Sequence, residues 1–248
     1  MIPRERVLEK LDSLLRSNDY KSAKQLLEYW LSEATSTGDM QGVLLMQNEL
    51  MGLCRKLGER ENALGFAQSA LEQVGKMGIG DNVGAATTYL NSATVCKAFD
   101  LPEDAINLFE LAREIYERDL KPDDDRLAGL YNNMGLALVD LGRFPEADEL
   151  YKKALSVLDN NEGKEPEQAI TYLNMATAAE TQFGLEEATP KINELLKAAT
   201  ERLDIGRDRT DGNYAFVCEK CASVFGYYGR KAYEIELLSR TRRIYEGN

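Results

Sequence analysis

Residues 131–154 read YNNMGLALVDLGRFPEADELYKKA. Tyr131, Met134, Gly135 and Leu138 recur at spacings of three and four, which puts them on one stripe of a helix. Gly142 marks a break, and Ala147, Tyr151 and Ala154 then form a second stripe with the same period. Gly135 and Ala147 are small enough for two helices to approach closely. The stretch therefore predicts a helical hairpin in which each helix buries one face against the other.

The same frame recurs along the chain. Upstream it uses Tyr89, Ala93, Cys96, Ala105, Phe109 and Ala112, and before that Cys54, Gly58, Ala63, Ala67 and Ala70. Downstream it uses Tyr172, Met175, Ala176, Ala179 and Ala188. The alanines at 63, 105 and 147 recur every 42 residues, 188 follows after 41, and a weaker first unit (Val7, Leu11, Leu14, Ala23, Leu27) precedes by 40. From Asn213 to Tyr245 a helix-turn-helix pattern surrounds Gly226 and Gly229, with its register left open; terminal units of such arrays are commonly atypical.

These residues resemble the tetratricopeptide repeat, and the long period resembles the kinesin light chain type. The resemblance extends over nearly the whole chain. It implies an all-α fold, an α-solenoid of five to six antiparallel hairpins wound as a right-handed superhelix. One array would span residues 1–248, with units near 4–37, 44–77, 86–119, 128–161 and 169–202 and a degenerate unit at 213–246. The Thr189-Pro190 step departs from the pattern and predicts a helix that starts late, with Thr189 as its cap.

In this family the second, sixth, ninth and thirteenth positions of each first helix line a concave face. The sixth position here is Asn91, Asn133 and Asn174, two residues after Tyr89, Tyr131 and Tyr172. Thr94, Leu136 and Thr177 hold the ninth, and Thr87, Asp140 and Thr181 add to the same side. Asparagine is a mediocre helix former, so its return at one exposed position needs a reason. A side-chain amide can pair with both the N–H and the C=O of an extended peptide. The alternative is that these amides bond to neighbouring helices and only fix the superhelix. Glu49 replaces the asparagine in the second unit, with Asn48 beside it, and Glu9 lies near Glu5 and Asp12 in the first, so a partner with a basic end would suit the N-terminal part.

Composition narrows the function. The 248 residues are 44% hydrophobic and 29% charged, enough apolar material for a core. A net charge of −12 repels phosphate backbones and anionic lipids, so nucleic acid and membrane are poor partners. Residues 1–15 form an amphipathic pattern, not a signal peptide, and the cytoplasm is the expected location, with the four cysteines reduced. The absence of histidine removes histidine-based hydrolysis and histidine-ligated metal.

Cys218 and Cys221 form a C-x-x-C without a second pair and are read as packing residues, as are Cys54 and Cys96. Asp123 to Asp125 read as a helix cap, and residues 204–213 as a polar loop that lacks the acidic spacing of a calcium site. Tyr29 and Trp30 read as packing residues, and Arg240, Arg242 and Arg243 as exposed charges offsetting a helix C-terminus. No phosphate loop follows a strand, and no cofactor, metal site or catalytic residue is expected.

Three functions compete. The first is a non-enzymatic module that holds a peptide or extended protein segment through Asn91, Asn133, Asn174, Thr94, Thr177, Thr87, Asp140 and Glu49. The second is a scaffold for subunit assembly. The third is the sensor part of a bacterial peptide-responsive regulator, for which residues before Arg4 leave no room for a helix-turn-helix output domain.

Overall fold

The computed structural model describes residues 1–246, and these form twelve α-helices and no strands. They fall into two compact units, one of residues 1–120 and one that begins at Lys121. Unit 1 holds α1 (Arg4–Arg16), α2 (Tyr20–Ser36), α3 (Met40–Lys56), α4 (Arg60–Met77), α5 (Val83–Ala98) and α6 (Pro102–Asp119). Unit 2 holds α7 (Asp125–Asp140), α8 (Phe144–Asp159), α9 (Glu165–Phe183), α10 (Leu185–Ile205), α11 (Gly212–Tyr227) and α12 (Lys231–Glu246).

In both units the helices pack as hairpins, α1 with α2, α3 with α4 and α5 with α6, then α7 with α8, α9 with α10 and α11 with α12. The fourth residue of each second helix explains why. Ala23, Ala63, Ala105 and Ala147 are fully buried and Ala188 nearly so, and a larger side chain there would hold the paired helix away. Each hairpin turns on one residue with positive φ. Gly142 takes that turn at φ 71° without cost, whereas Asn18 and Asp100 take it as the short polar side chains best able to bear it.

Helix starts are capped by side chains that the sequence places just ahead of them. Asp19, Asp39, Asn82, Asp124 and Asp211 each accept a backbone N–H of the following first turn. Asp39 does more, accepting from the Ile2 N–H at 2.9 Å and from Arg4 at 2.7 Å, which ties the first turn of the chain to α3. Burial pushes the Asp39 carboxyl up, but the N–H groups of Ile2 and Gly42 together with Arg4 outweigh it and leave it below the usual carboxylate range.

Two sequence expectations are corrected here. Helix α10 does not wait for Thr189; it opens at Leu185 directly after Gly184 and carries Pro190 inside. Thr189 Oγ1 instead donates to the Leu185 carbonyl at 2.6 Å. The proline is tolerated because the carbonyl it cannot serve, that of Glu186, belongs to an exposed first turn that water can reach. Arg240 is not an exposed terminal charge but is 4% exposed, donating to Asp204 at 2.6 Å and to the Tyr214 hydroxyl at 2.9 Å.

The last hairpin shows why its register was hard to read. Its second helix has Glu234 where the others have alanine, and Gly226 stands across from it. A Cβ at Gly226 would come within 2.4 Å of the Glu234 carboxyl group. The larger residue on one helix is accommodated by the missing side chain on the other.

All four cysteines are free and buried, and burial pushes their thiols up, Cys54 to about 11 and Cys221 to about 12. No helix among the described residues is long and apolar enough to cross a membrane.

Candidate functional site

In unit 1 the leading helices α3 and α5 flank a cleft of about 810 Å³. Asn48, Glu49, Thr87, Thr88 and Asn91 line it, with Leu44 and Ile79 supplying apolar surface. Asn91 Nδ2 donates to Asn48 Oδ1 at 2.9 Å, and Asn48 Nδ2 donates both to Thr88 Oγ1 at 3.2 Å and to the Leu44 carbonyl at 2.9 Å. The donors of Asn48 are thus used within the protein. Asn91 is half-buried and lines the cleft, and the bond to Asn48 uses one of its two amide N–H groups. Burial, with Asp12 second, lifts the Glu49 carboxyl above the usual carboxylate range.

Unit 2 repeats this arrangement. Asn174 Nδ2 donates to Asn132 Oδ1 at 3.2 Å, and Asn132 Nδ2 donates to Thr171 Oγ1 at 2.9 Å. Both asparagines and Asn133 line a cleft of about 260 Å³ beside Lys164, Glu167 and Lys220. The two networks share a tetrapeptide, Thr-Tyr-Leu-Asn, at 88–91 and again at 171–174. Each lies across from an asparagine on the preceding leading helix, Asn48 or Asn132.

The expected site residues therefore divide. Asn91, Thr87 and Glu49 share the unit 1 cleft, while Asn133 and Asn174 share the smaller unit 2 cleft. Thr177 lines a separate unit 2 cleft with Glu180 and Tyr228. Thr94 bonds back to the Leu90 carbonyl at 2.8 Å and Asp140 is exposed at the end of α7; neither lines a cleft described here. Thr87 bonds to Val83 and to the buried Tyr116 hydroxyl, at 3.0 and 2.7 Å, so its hydroxyl is partly committed to the fold. Sequence reading missed Thr88, Asn132 and Thr171, although the repeated tetrapeptide was a visible signal.

Among the described residues no group of three or more cysteine, aspartate or glutamate side chains is arranged to hold a metal ion. The clefts present amides, hydroxyls and apolar surface together with charged side chains, Glu49 in unit 1 and Lys164, Glu167 and Lys220 in unit 2.

Residues 126–201 match the tetratricopeptide repeat family model. Those residues, which run from α7 into α10, carry the tetratricopeptide pattern. Solved structures of this repeat class share the chain's fold. The nearly identical tetratricopeptide-like repeats designated kinesin light chain from Podosopora anserina superpose with a TM-score of 0.55 at 17% identity, covering 81% of this chain and 94% of that one. BtubC (BKLC) from P. vanneervenii gives 0.58 at 18% identity, with 94% and 91% covered. NprR in complex with its cognate peptide NprX gives 0.60 at 16% identity, covering 95% of this chain but 64% of NprR. No curated protein sequence matches the chain. At these identities the likeness to these structures extends to fold alone.

Proposed function

We propose that this repeat protein is a non-enzymatic module that holds extended peptide or protein segments along the leading helices of its units, with Asn91 gripping backbone in the unit 1 cleft and Asn174 gripping backbone in the unit 2 cleft. The observation that carries this reading is the twice-built amide network. In each unit one asparagine is held by a threonine, and its partner, which lines a cleft, spends one amide N–H on it and has a carbonyl and a second N–H with which to pair a peptide bond. An amide held in that way loses little freedom when it pairs with a peptide bond, so more of the interaction appears as affinity. The pairing reads backbone and leaves selection to the flanking side chains. In unit 1 those include Glu49, which favours a segment with a basic end near it. NprR, whose structure holds a peptide, has a related fold and is consistent with this reading.

The test is to recover retained peptides by affinity capture and mass spectrometry, then measure one of them by fluorescence anisotropy against variants. Asn91→Ala and Asn174→Ala should each weaken binding about tenfold, the equivalent of about 1.4 kcal/mol. Unchanged affinity in both variants would remove the amides from the mechanism. Subunit assembly followed by light scattering in the same variants separates a scaffold, which should survive loss of these asparagines.

A further inference from the structure

We infer that unit 2 contains a subsite for a cationic side chain, an arginine or lysine of the bound segment, built by Glu180, Tyr227 and Tyr228 at the cleft between α9 and α11. Tyr227 Oη donates to Glu180 Oε1 at 2.5 Å and Tyr228 Oη donates to Oε2 at 2.8 Å, so one carboxylate is held by two phenols, from the last residue of α11 and from its C-cap. The two rings stand nearly perpendicular, 74° apart with centroids at 5.0 Å, which fixes both hydroxyls together.

Each bond occupies one lone pair per carboxylate oxygen, and each oxygen retains a second for an incoming donor. A carboxylate oriented in advance matches the planar fork of a guanidinium better than one on a free side chain does. The cleft measures about 630 Å³, room for a whole arginine side chain, and its lining includes no lysine or arginine to neutralise Glu180. Leu185, Val224 and the largely exposed Tyr227 ring give apolar surface for the methylene stem. Thr177, Thr181 and Ser223 supply further hydroxyls. With a chain charge of −12, the surrounding field also draws a cation inward.

The inference rests on the proposed function for one point, that the cation belongs to an extended segment. The site itself is tested without that assumption. N-acetyl-arginine amide and N-acetyl-lysine amide, and the neutral citrulline analogue, are titrated into the full chain while tyrosine ring resonances are followed by NMR. Saturable shifts of the Tyr227 and Tyr228 signals are expected with the cations, with citrulline at least tenfold weaker. Glu180→Gln, which keeps acceptors for one phenol and removes the charge, should abolish the response without changing the melting temperature. Equal binding of citrulline, or an unchanged response in Glu180→Gln, overturns the subsite, and the citrulline comparison holds on the unmodified chain whatever the variant does. A blocked nine-residue glycine-serine peptide with one central arginine should bind at least as well as the single amino-acid derivative; exclusion of the peptide would overturn its assignment to a segment. Asn91→Ala and Asn174→Ala leave Glu180 and its phenols in place, so loss of backbone gripping and loss of this subsite are read separately.

Discussion

Replacing Gly135 by valine is expected to unfold unit 2 at markedly lower denaturant. A Cβ at this position would lie 2.6 Å from Tyr151 Cε1 and 2.9 Å from Cζ, inside any real contact distance. Tyr151 is 1% exposed and has nowhere to retreat, so the two branches of valine must push α7 off α8. Overpacking of this kind costs typically 1–3 kcal/mol per insertion, and with two methyl groups beyond Cβ we expect about 3 kcal/mol. Gly129 on the same helix supplies the control. A Cβ there meets nothing within 4 Å, so Gly129→Ala should stabilise by about 0.5–1 kcal/mol through helix propensity. Urea unfolding followed by hydrogen exchange would check both; equal behaviour of the two positions would refute the packing account.

Arg240→Met is the second large effect. The guanidinium joins three helices, reaching Asp204 and the Leu203 carbonyl of α10, the Tyr214 hydroxyl of α11 and Glu236 on its own helix. Losing one member of a buried ion pair costs about 3–5 kcal/mol when the survivor stays dry. Here Asp204 and Glu236 are 44% and 38% exposed and can rehydrate, and Tyr214 keeps its bond to the Leu203 carbonyl at 2.8 Å, so about 2–3 kcal/mol is expected. Amide exchange should show α12 losing protection first. Arg240→Lys retains the charge without the fork that reaches several acceptors, and should fall between. Wild-type protection of α12 in Arg240→Met would show that apolar contacts such as Leu237 hold the helix alone.

How far the sequence could be read depended on whether a residue's neighbours were near in the repeat. The hairpins were legible because the buried alanines at 63, 105 and 147 meet helices a fixed distance away in sequence, and that distance recurs. The last hairpin broke the pattern because Glu234 takes the alanine's place and Gly226 yields the space, a swap visible only when both positions are seen together. Arg240 looked like a solvated charge since its partners lie 26 and 36 residues away. Pro190 looked like a helix boundary because its cost depends on whether water reaches the preceding turn, which spacing does not encode. At the candidate site, the asparagines at the sixth position were visible one by one. Their pairing with Asn48 and Asn132 was not, because it couples a fifth position in one hairpin to a sixth position in the next.

The burial of the four cysteines has a practical corollary. At neutral pH a sulfhydryl with a proton affinity as high as those of Cys54 and Cys221 is almost never ionised, and the ionised form is what maleimides and iodoacetamide attack. Alkylation must then wait for a transient opening, and its rate clocks that opening. Peptide mapping tells Cys54 and Cys96 from Cys218 and Cys221, so a single labelling time course would rank the two halves of the chain by how often each one breathes.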